Sequence, residues 1–339
     1  PSCQKRVVPQ LNLSDVILGR HRVSLRLMSI IATLREHCRL PIRTIQFYLR
    51  AFCRLTLSRG EIIRVLHTVA HQSTPHYQTL GQHLRESPIV HGDETGWRED
   101  GVNGYLWNFN TPEVRYFLYR KSRGSPVVRE VLGDTFQGVL VSDFYSAYNC
   151  YDGDHQRCWV HLLRDIEKLH DCYPEHQHLN EWMRNVTALY WEARAYAGPD
   201  PTHYPTPRAQ RQQRVRDQVI FRDRLLAFCR PYLTRPVPMQ TLCKRIEKYQ
   251  SELFVFLTDP RIPSDNNAAE RSLRHSVIAR KISGGTRSPR GSTTKMILAS
   301  LFGTWSLQGK NPLEECLALL TSASTGKPAP AYTEVQSGE

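Results

Sequence analysis

Between Arg22 and about Cys38 the apolar side chains Val23, Leu27, Met28, Ile30, Ile31 and Leu34 return at helical spacing, with Arg22, Arg26 and Arg35 among them. That pattern predicts a helix carrying basic side chains. Two further helical patterns follow: Pro41 to Cys53, with Ile45, Leu49 and Phe52, and Ser58 to Ala70, with Ile62, Ile63 and Leu66. Pro41 suits a first helical turn, and Ser58-Arg-Gly-Glu61 has the form of a capping box. The short link Arg54 to Leu57 makes this pair a helix-turn-helix candidate in which Arg59 and Arg64 face phosphate or base edges. An ordinary helical hairpin packed on the core fits the same pattern.

After Pro88 the texture changes to short runs of β-branched and aromatic residues. Ile89 to Trp97, Gly104 to Phe109 and Val114 to Tyr119 are separated by turn residues and predict three strands in a meander. Ser125 to Leu132 reads as a helix ending at Gly133, and Gly138 to Asp143 as a buried strand ending on an acid. Strand, strand, strand, helix, strand is the opening order of a ribonuclease-H-like fold. From Ser146 to about Leu257 helical patterns dominate, interrupted by the loop-like run Ala197 to Pro207, and Pro263 to Arg274 begins another helix. The expected class is therefore α/β: a ribonuclease-H-like mixed sheet core, a helical amino-terminal region, and a helical insertion before the last catalytic helix. The expected boundaries are 1–87 for the amino-terminal helices, 88–164 and 261–325 for the two parts of the core, 165–260 for the insertion, and 326–339 for a polar tail.

Composition narrows the function. The chain has 339 residues, 40% apolar and 23% charged, the balance of a folded chain. Its apolar runs fall far short of the roughly 18 residues that span a bilayer, and it lacks a basic-then-apolar leader, so neither membrane insertion nor export is expected. Lys and Arg number 45 against 32 acids, for a formal charge of +13, which favours an anionic partner, nucleic acid first. The excess sits in blocks: residues 1 to 90 hold 13 basic and 4 acidic side chains, and Arg271 to Asn311 hold 8 basic and no acidic ones. Nine Cys without regular spacing read as reduced thiols, hence a cytoplasmic protein.

Phosphodiester chemistry at a ribonuclease-H-like site needs two magnesium ions held by carboxylate oxygens. The acids must come from the first strand, the end of the fourth and a later helix, and Asp93, Asp143 and Glu270 fall in those places. Each also has an ordinary role available. Asp93 and Asp143 suit turns, while Glu270 completes an Asn267-Ala-Ala-Glu270 capping box and stands one helical turn from Arg274. Glu94 is the rival for the first position, but strand alternation aims it at the opposite face from Asp93.

The runs His91-Gly-Asp-Glu-Thr-Gly-Trp97, Ser142-Asp-Phe-Tyr-Ser-Ala-Tyr148, Gln156-Arg-Cys-Trp-Val-His-Leu-Leu-Arg164 and Asp265-Asn-Asn-Ala-Ala-Glu-Arg-Ser-Leu-Arg274, then Ala279-Arg-Lys281, resemble the bacterial insertion-sequence sixty-six family of DDE transposases over roughly residues 20 to 320. The resemblance implies that Asp93, Asp143 and Glu270 are a metal-binding catalytic triad with two magnesium ions, manganese substituting. It implies cleavage of transposon-end DNA to free a 3′-hydroxyl, then strand transfer into target DNA. Transposon ends and target DNA are the implied partners, with a homo-oligomer on DNA and companion proteins of the element also expected. A nuclease that does not join ends, or a non-catalytic DNA-binding fragment, are the competing readings. The family also carries a coiled coil and a zinc knuckle before the helices. Pro1-Ser-Cys3 has the form of the second half of such a knuckle, so a further segment is expected upstream.

Cys158 and His161 stand one helical turn apart and are expected in a supporting or packing role rather than as zinc ligands, with Asn266 and Asn267 also supporting. Arg157 and Arg164, beside that pair, meet DNA or solvate the helix. Arg271, Arg274, Arg280, Lys281, Arg287, Arg290 and Lys295 form a row that begins beside the third acid, and contact with DNA phosphates is its expected use. The basic stretch Arg208 to Arg235 is assigned to the inserted helices, facing flanking DNA or a second subunit. Trp182, Tyr190 and Trp191 are expected in the core.

Overall fold

The computed structural model describes residues 13–19, 21–198 and 206–326. Cys3, most of the 197–207 run and the polar tail lie outside them. Four helices come first: α1 (Leu25–Glu36), α2 (Ile42–Cys53), α3 (Arg59–Gln72) and α4 (Thr74–Glu86). Pro41 is the N-cap of α2, and the capping box of α3 is made as read: Ser58 Oγ accepts from Glu61 N at 3.1 Å while Glu61 Oε2 accepts from Ser58 N at 2.7 Å. The sequence reading missed α4. Its buried face is only Leu80, Gly81 and Leu84, too thin a stripe to register, although Ser73-Thr-Pro75 is a helix-start signal.

The sheet opens with the expected meander, β1 (Ile89–Glu99), β2 (Val102–Asn110) and β3 (Arg115–Arg120). Asp100 and Gly101, at φ 52° and 79°, turn β1 into β2 in the left-handed region that two-residue hairpins favour. Helix α5 (Ser125–Leu132), capped by Gly133, leads to β4 (Val139–Ser142) and β5 (His155–Arg157). The strand order is β3-β2-β1-β4-β5, with β1 to β3 antiparallel, β4 parallel to β1 and β5 parallel to β4. This five-stranded mixed sheet fixes the class as α/β. β5 is a strand within 146–257, where helical patterns dominate: its residues are polar yet buried, so no apolar alternation announces it.

Beyond β5 run α6 (Trp159–Cys172), α7 (Gln177–Tyr196), α8 (Pro207–Cys229) and α9 (Gln240–Lys248). Their apolar faces meet in one cluster with Trp159, Trp182, Tyr190, Phe254 and Phe256, which also takes in Ile89 and Val141 from the sheet. These helices are thus continuous with the sheet's core. Trp191 is not part of it: that ring is 53% exposed, with Arg194 over its face at 5.2 Å. Several arginines of the 208–235 stretch are occupied internally. Arg224 pairs with Glu192 through two bonds of 2.6 and 2.7 Å, and Arg214 is buried against the carbonyls of Leu257 and Gly198.

The chain closes with α10 (Asn267–Ser283), α11 (Pro289–Leu307) and α12 (Pro312–Thr325). Leu25, Met28, Ile31, Ile62 and Val69 of α1 and α3 share a core with Leu301, Trp305 and Leu320 of α11 and α12. Lys295, read in sequence as part of the DNA-facing row, is buried in this region and paired with the buried Glu36 at 2.5 Å. Among the described residues no helix is long and apolar enough to cross a membrane.

Lys295→Met should therefore lower stability by about 3 kcal/mol or more, the scale for stranding one partner of a buried ion pair. The Glu36→Gln, Lys295→Met double variant should recover much of that loss. Urea unfolding followed by circular dichroism measures both.

Candidate active site

Strand alternation sorts β1 into two faces, with Val90, Gly92 and Glu94 on one and His91, Asp93 and Thr95 on the other. β4 runs parallel to β1 in the register Ile89↔Val139 to His91↔Val141, so two residues further along Asp143 follows β4 as Asp93's neighbour. Helix α10 lies over the Asp93 face. Arg280 Nη1 donates to Thr95 Oγ1 at 3.0 Å and to the Gly96 carbonyl, and Ser272 Oγ donates to Asn108 Oδ1 at 3.0 Å.

Asn266, the N-cap of α10, fixes where that helix begins. Its side chain does not cap the helix: Nδ2 donates to the Gly92 carbonyl at 2.8 Å, and Oδ1 accepts from His91 Nδ1 at 2.9 Å. Its backbone N–H donates to Cys158 Sγ at 3.2 Å. His91 carries its proton on Nδ1 to make this bond, and burial pushes its pKa down, so the ring is neutral. Burial pushes the Cys158 thiol up to about 11, leaving it a hydrogen-bonded packing group rather than a thiolate ligand. Asn267 opens the helix, with its N–H on Asp265 Oδ1 at 3.0 Å. The capping box read at Asn267 to Glu270 is not formed, because both residues lie inside the first turns.

Glu270 reaches from α10 toward α6. Its Oε1 stands 3.6 Å from His161 Nε2 and 3.6 Å from Arg164 Nη1, too far for a hydrogen bond, and that oxygen is buried with no hydrogen-bond partner. The partner expected one turn along, Arg274, points into solvent instead. Asp143 Oδ1 accepts from Tyr145 N at 2.9 Å, and Asp93 Oδ1 from Glu94 N at 2.9 Å. Burial, and after it the charges of Glu94, Asp143 and Glu270, push Asp93 up to about 8. Asp143 and Glu270 therefore both lie close enough to Asp93 for their charges to act on it.

Glu94 stays on the opposite face. Its carboxylate is almost wholly covered, accepting from Tyr148 Oη at 2.6 Å and from Arg123 Nε at 3.0 Å. The Tyr148 ring lies directly beneath Gly92, where a Cβ would come within 2.8 Å of it, so this strand position takes only glycine.

Sequence reasoning missed Arg157. It was read as meeting DNA or solvent, yet it is fully buried, donating to Glu252 Oε2 at 2.6 Å, Asn149 Oδ1 at 2.6 Å and the Asp143 carbonyl at 2.8 Å, with its guanidinium over the Tyr249 ring. It ties the Asp143 backbone to the segment that follows α9. The signal available was its place in the Gln156 to Arg164 run rather than in a charged block. Of the other basic residues named, Arg59, Arg64, Arg271, Arg274, Lys281, Arg287 and Arg290 are exposed, and Arg280 is half-buried on β1.

The donor set suits a hard divalent cation. It consists of carboxylate oxygens, with burial first and neighbouring negative charge second holding a proton on Asp93, together with an orphaned buried oxygen on Glu270. Among the described residues no three His, Cys, Asp or Glu side chains are drawn close enough to cage an ion by themselves. Magnesium does not require such a cage, because it keeps several waters and is held by one or two carboxylates with substrate phosphates.

The family model described as Transposase IS66 family matches residues 20–294, and the chain belongs to that family. It is 30% identical over 196 residues to the uncharacterized protein y4jO of Sinorhizobium fredii (strain NBRC 101917 / NGR234), a match covering 58% of this chain and 56% of that protein. It is 26% identical over 310 residues to the uncharacterized protein y4jD of the same strain, covering 80% of this chain and 58% of that one. The chain thus spans somewhat more than half the length of these relatives.

The raised Asp93 has a sign that can be measured. The folded state holds a proton that the unfolded chain releases near pH 3.9, so this residue's contribution to stability falls as pH rises from about 4 to about 8 and is level above that. Asp93→Asn should melt above the parent at pH 8, with the difference vanishing toward pH 4. Magnesium should raise the parent's melting temperature more than the variant's. Thermal denaturation across pH, with and without magnesium, tests both.

Proposed function

We propose that this chain is the catalytic part of a DDE transposase that cuts the ends of an insertion sequence and joins them to target DNA. In this reading the sheet and the helices flanking it form a ribonuclease-H-like core. Residues 88–164 and 261–325 make up that core, 165–260 are an insertion, and 1–87 are a DNA-facing helical region. The observation that carries the reading is that Asp143 and Glu270, far from Asp93 in sequence, both come close enough for their charges to bear on it. They would hold two divalent cations, magnesium or manganese in its place. When bound, such ions activate the attacking oxygen and stabilise the leaving one.

The chain's own residues supply the rest. Asn266 and Arg157 set the backbone positions from which Glu270 and Asp143 project. His161 and Arg164 stand beside Glu270 and balance its charge. Arg271, Arg274, Lys281, Arg287 and Arg290 give exposed positive charge along and after α10, where backbone phosphates would be positioned without being read for sequence. Arg59 and Arg64 extend that surface, since α3 packs on α11 through His67 Nδ1 and Thr294 Oγ1 at 2.7 Å. In the first reaction water adds to the phosphorus and the bond to the 3′ oxygen breaks. In the second, the freed 3′-hydroxyl attacks a target phosphodiester, displacing that strand's own 3′ oxygen. The DNA partners, a homo-oligomer on DNA and companion proteins of the element belong to this proposal.

Asp143→Asn and Glu270→Gln should each lower magnesium-dependent cleavage of end DNA by at least about a thousandfold, the scale for losing a transition-state charge stabiliser, while end-DNA affinity is kept. Retained cleavage in either variant would overturn the assignment. A pre-cut end supplied with target DNA should give joined products, and cutting without joining would mark a nuclease instead.

A further inference from the structure

A cavity of about 40 Å³ opens among the carboxyl end of α1, the start of β3, α10 and α11. Ser272, His275 and Ser276 face it, roughly half a turn round α10 from Glu270, so it lies on the far side of that helix from Glu270. His37 and His275 are at its exposed rim, half-buried Arg115 forms a wall, and the buried Glu36 and Lys295 line its floor. Its volume is about three times the roughly 10–15 Å³ that one water requires.

The charge inside is unbalanced. Lys295 is spent on Glu36, the one acid in the lining. The Arg115 guanidinium has no hydrogen bond or ion pair among the described residues, although its stem is packed against Gly303, where an added Cβ would meet Arg115 Cδ at 3.1 Å. Among the described residues the buried cations are answered: Lys295 by Glu36 within this cavity, and elsewhere Arg157 by Glu252 and Arg214 by two carbonyls. Burial and then Arg271 push the Arg115 pKa down. Burial and then Arg39, Arg115, Lys295 and His37 do the same to His275. The charges that push these two groups down, Arg271 on the one and Arg39, Arg115, Lys295 and His37 on the other, are positive. A half-desolvated cation left in that state is costly, and an anion would offset the cost.

We propose that this cavity binds a phosphate group, with the planar fork of Arg115 taking two of its oxygens and His275 and His37 closing the rim. A tetrahedral oxyanion matches the guanidinium fork and brings the charge that the cavity lacks. Its source is either a DNA backbone phosphodiester, which rests on the transposase reading, or free orthophosphate, which does not. In the first case α10 would carry a metal-holding acid on one side and a phosphate clamp on the other.

The test uses the full chain with inorganic phosphate against sodium chloride at matched ionic strength, followed by thermal shift and calorimetry, in the parent, Arg115→Gln and His275→Gln. Phosphate should raise the parent's melting temperature in a saturable way. Arg115→Gln should be at least as stable as the parent in chloride, because repulsion is relieved, and should bind phosphate about tenfold or more weakly, the loss expected for a charge-assisted hydrogen bond. His275→Gln should show a smaller loss and serves as the test if Arg115→Gln folds poorly. In duplex-DNA binding, a fall of about 0.9 in the slope of log affinity against log salt for Arg115→Gln would assign the site to one backbone phosphate. An unchanged slope with the phosphate response intact would assign it to the free ion. A parent that does not respond to phosphate, with unchanged salt slopes in both variants, would overturn the proposal. Failure of the transposase reading would appear separately, as cleavage surviving in Asp143→Asn.

Discussion

One side-chain amide joins three parts of the chain that are far apart in sequence. Asn266 holds the Gly92 carbonyl and the His91 ring with its two polar ends, while its backbone N–H rests on the Cys158 sulfur. The first strand, the start of α6 and the start of α10 are thereby fixed to one another through bonds shielded from water, where each is stronger than at the surface and costlier to leave unmade. Glu270 leaves α10 a single turn after this junction, and Asp93 leaves β1 a single residue after it. The separation of the two acids is therefore set by a few neighbouring peptide units rather than by a long lever. That short linkage holds Asp93 where burial, and after it the nearby negative charges, keep a proton on it.

The positive charge divides into two populations that composition cannot separate. Arg157, Arg214 and Lys295 are interior groups, each answered by an oxygen and each holding one segment against another. Arg271, Arg274, Lys281, Arg287 and Arg290 stand in water, where their mutual repulsion is screened. Arg280 falls between, its guanidinium laid on the edge of β1. The net charge of +13 overstates the surface field by the interior members of the count and understates its concentration near α10.

What was readable in sequence followed from local rules. The capping box at Ser58, the turn residues between the first strands, the stop at Gly133 and the β-branched and aromatic runs of those strands are short-range signals, and the corresponding elements appear there. β5 and α4 were not readable, because one is built of buried polar side chains and the other buries only a thin stripe. At the candidate site, the residue types and their order along the chain were visible. The partners were not: Glu270 faces α6 instead of its own next turn, and Arg157 is inside instead of outside, because both outcomes depend on packing between segments about a hundred residues apart.

The apolar stripe of the first helices is finished by the last ones. Leu25, Met28 and Ile62 share a core with Leu301, Trp305 and Leu320, so surfaces made early in synthesis wait until the last helices of the chain are made to be covered. Closing so long a loop is entropically slow. A nascent chain would carry this greasy strip uncovered through most of its elongation, and any break in translation before α11 would release a product whose leading helices have nowhere to dock.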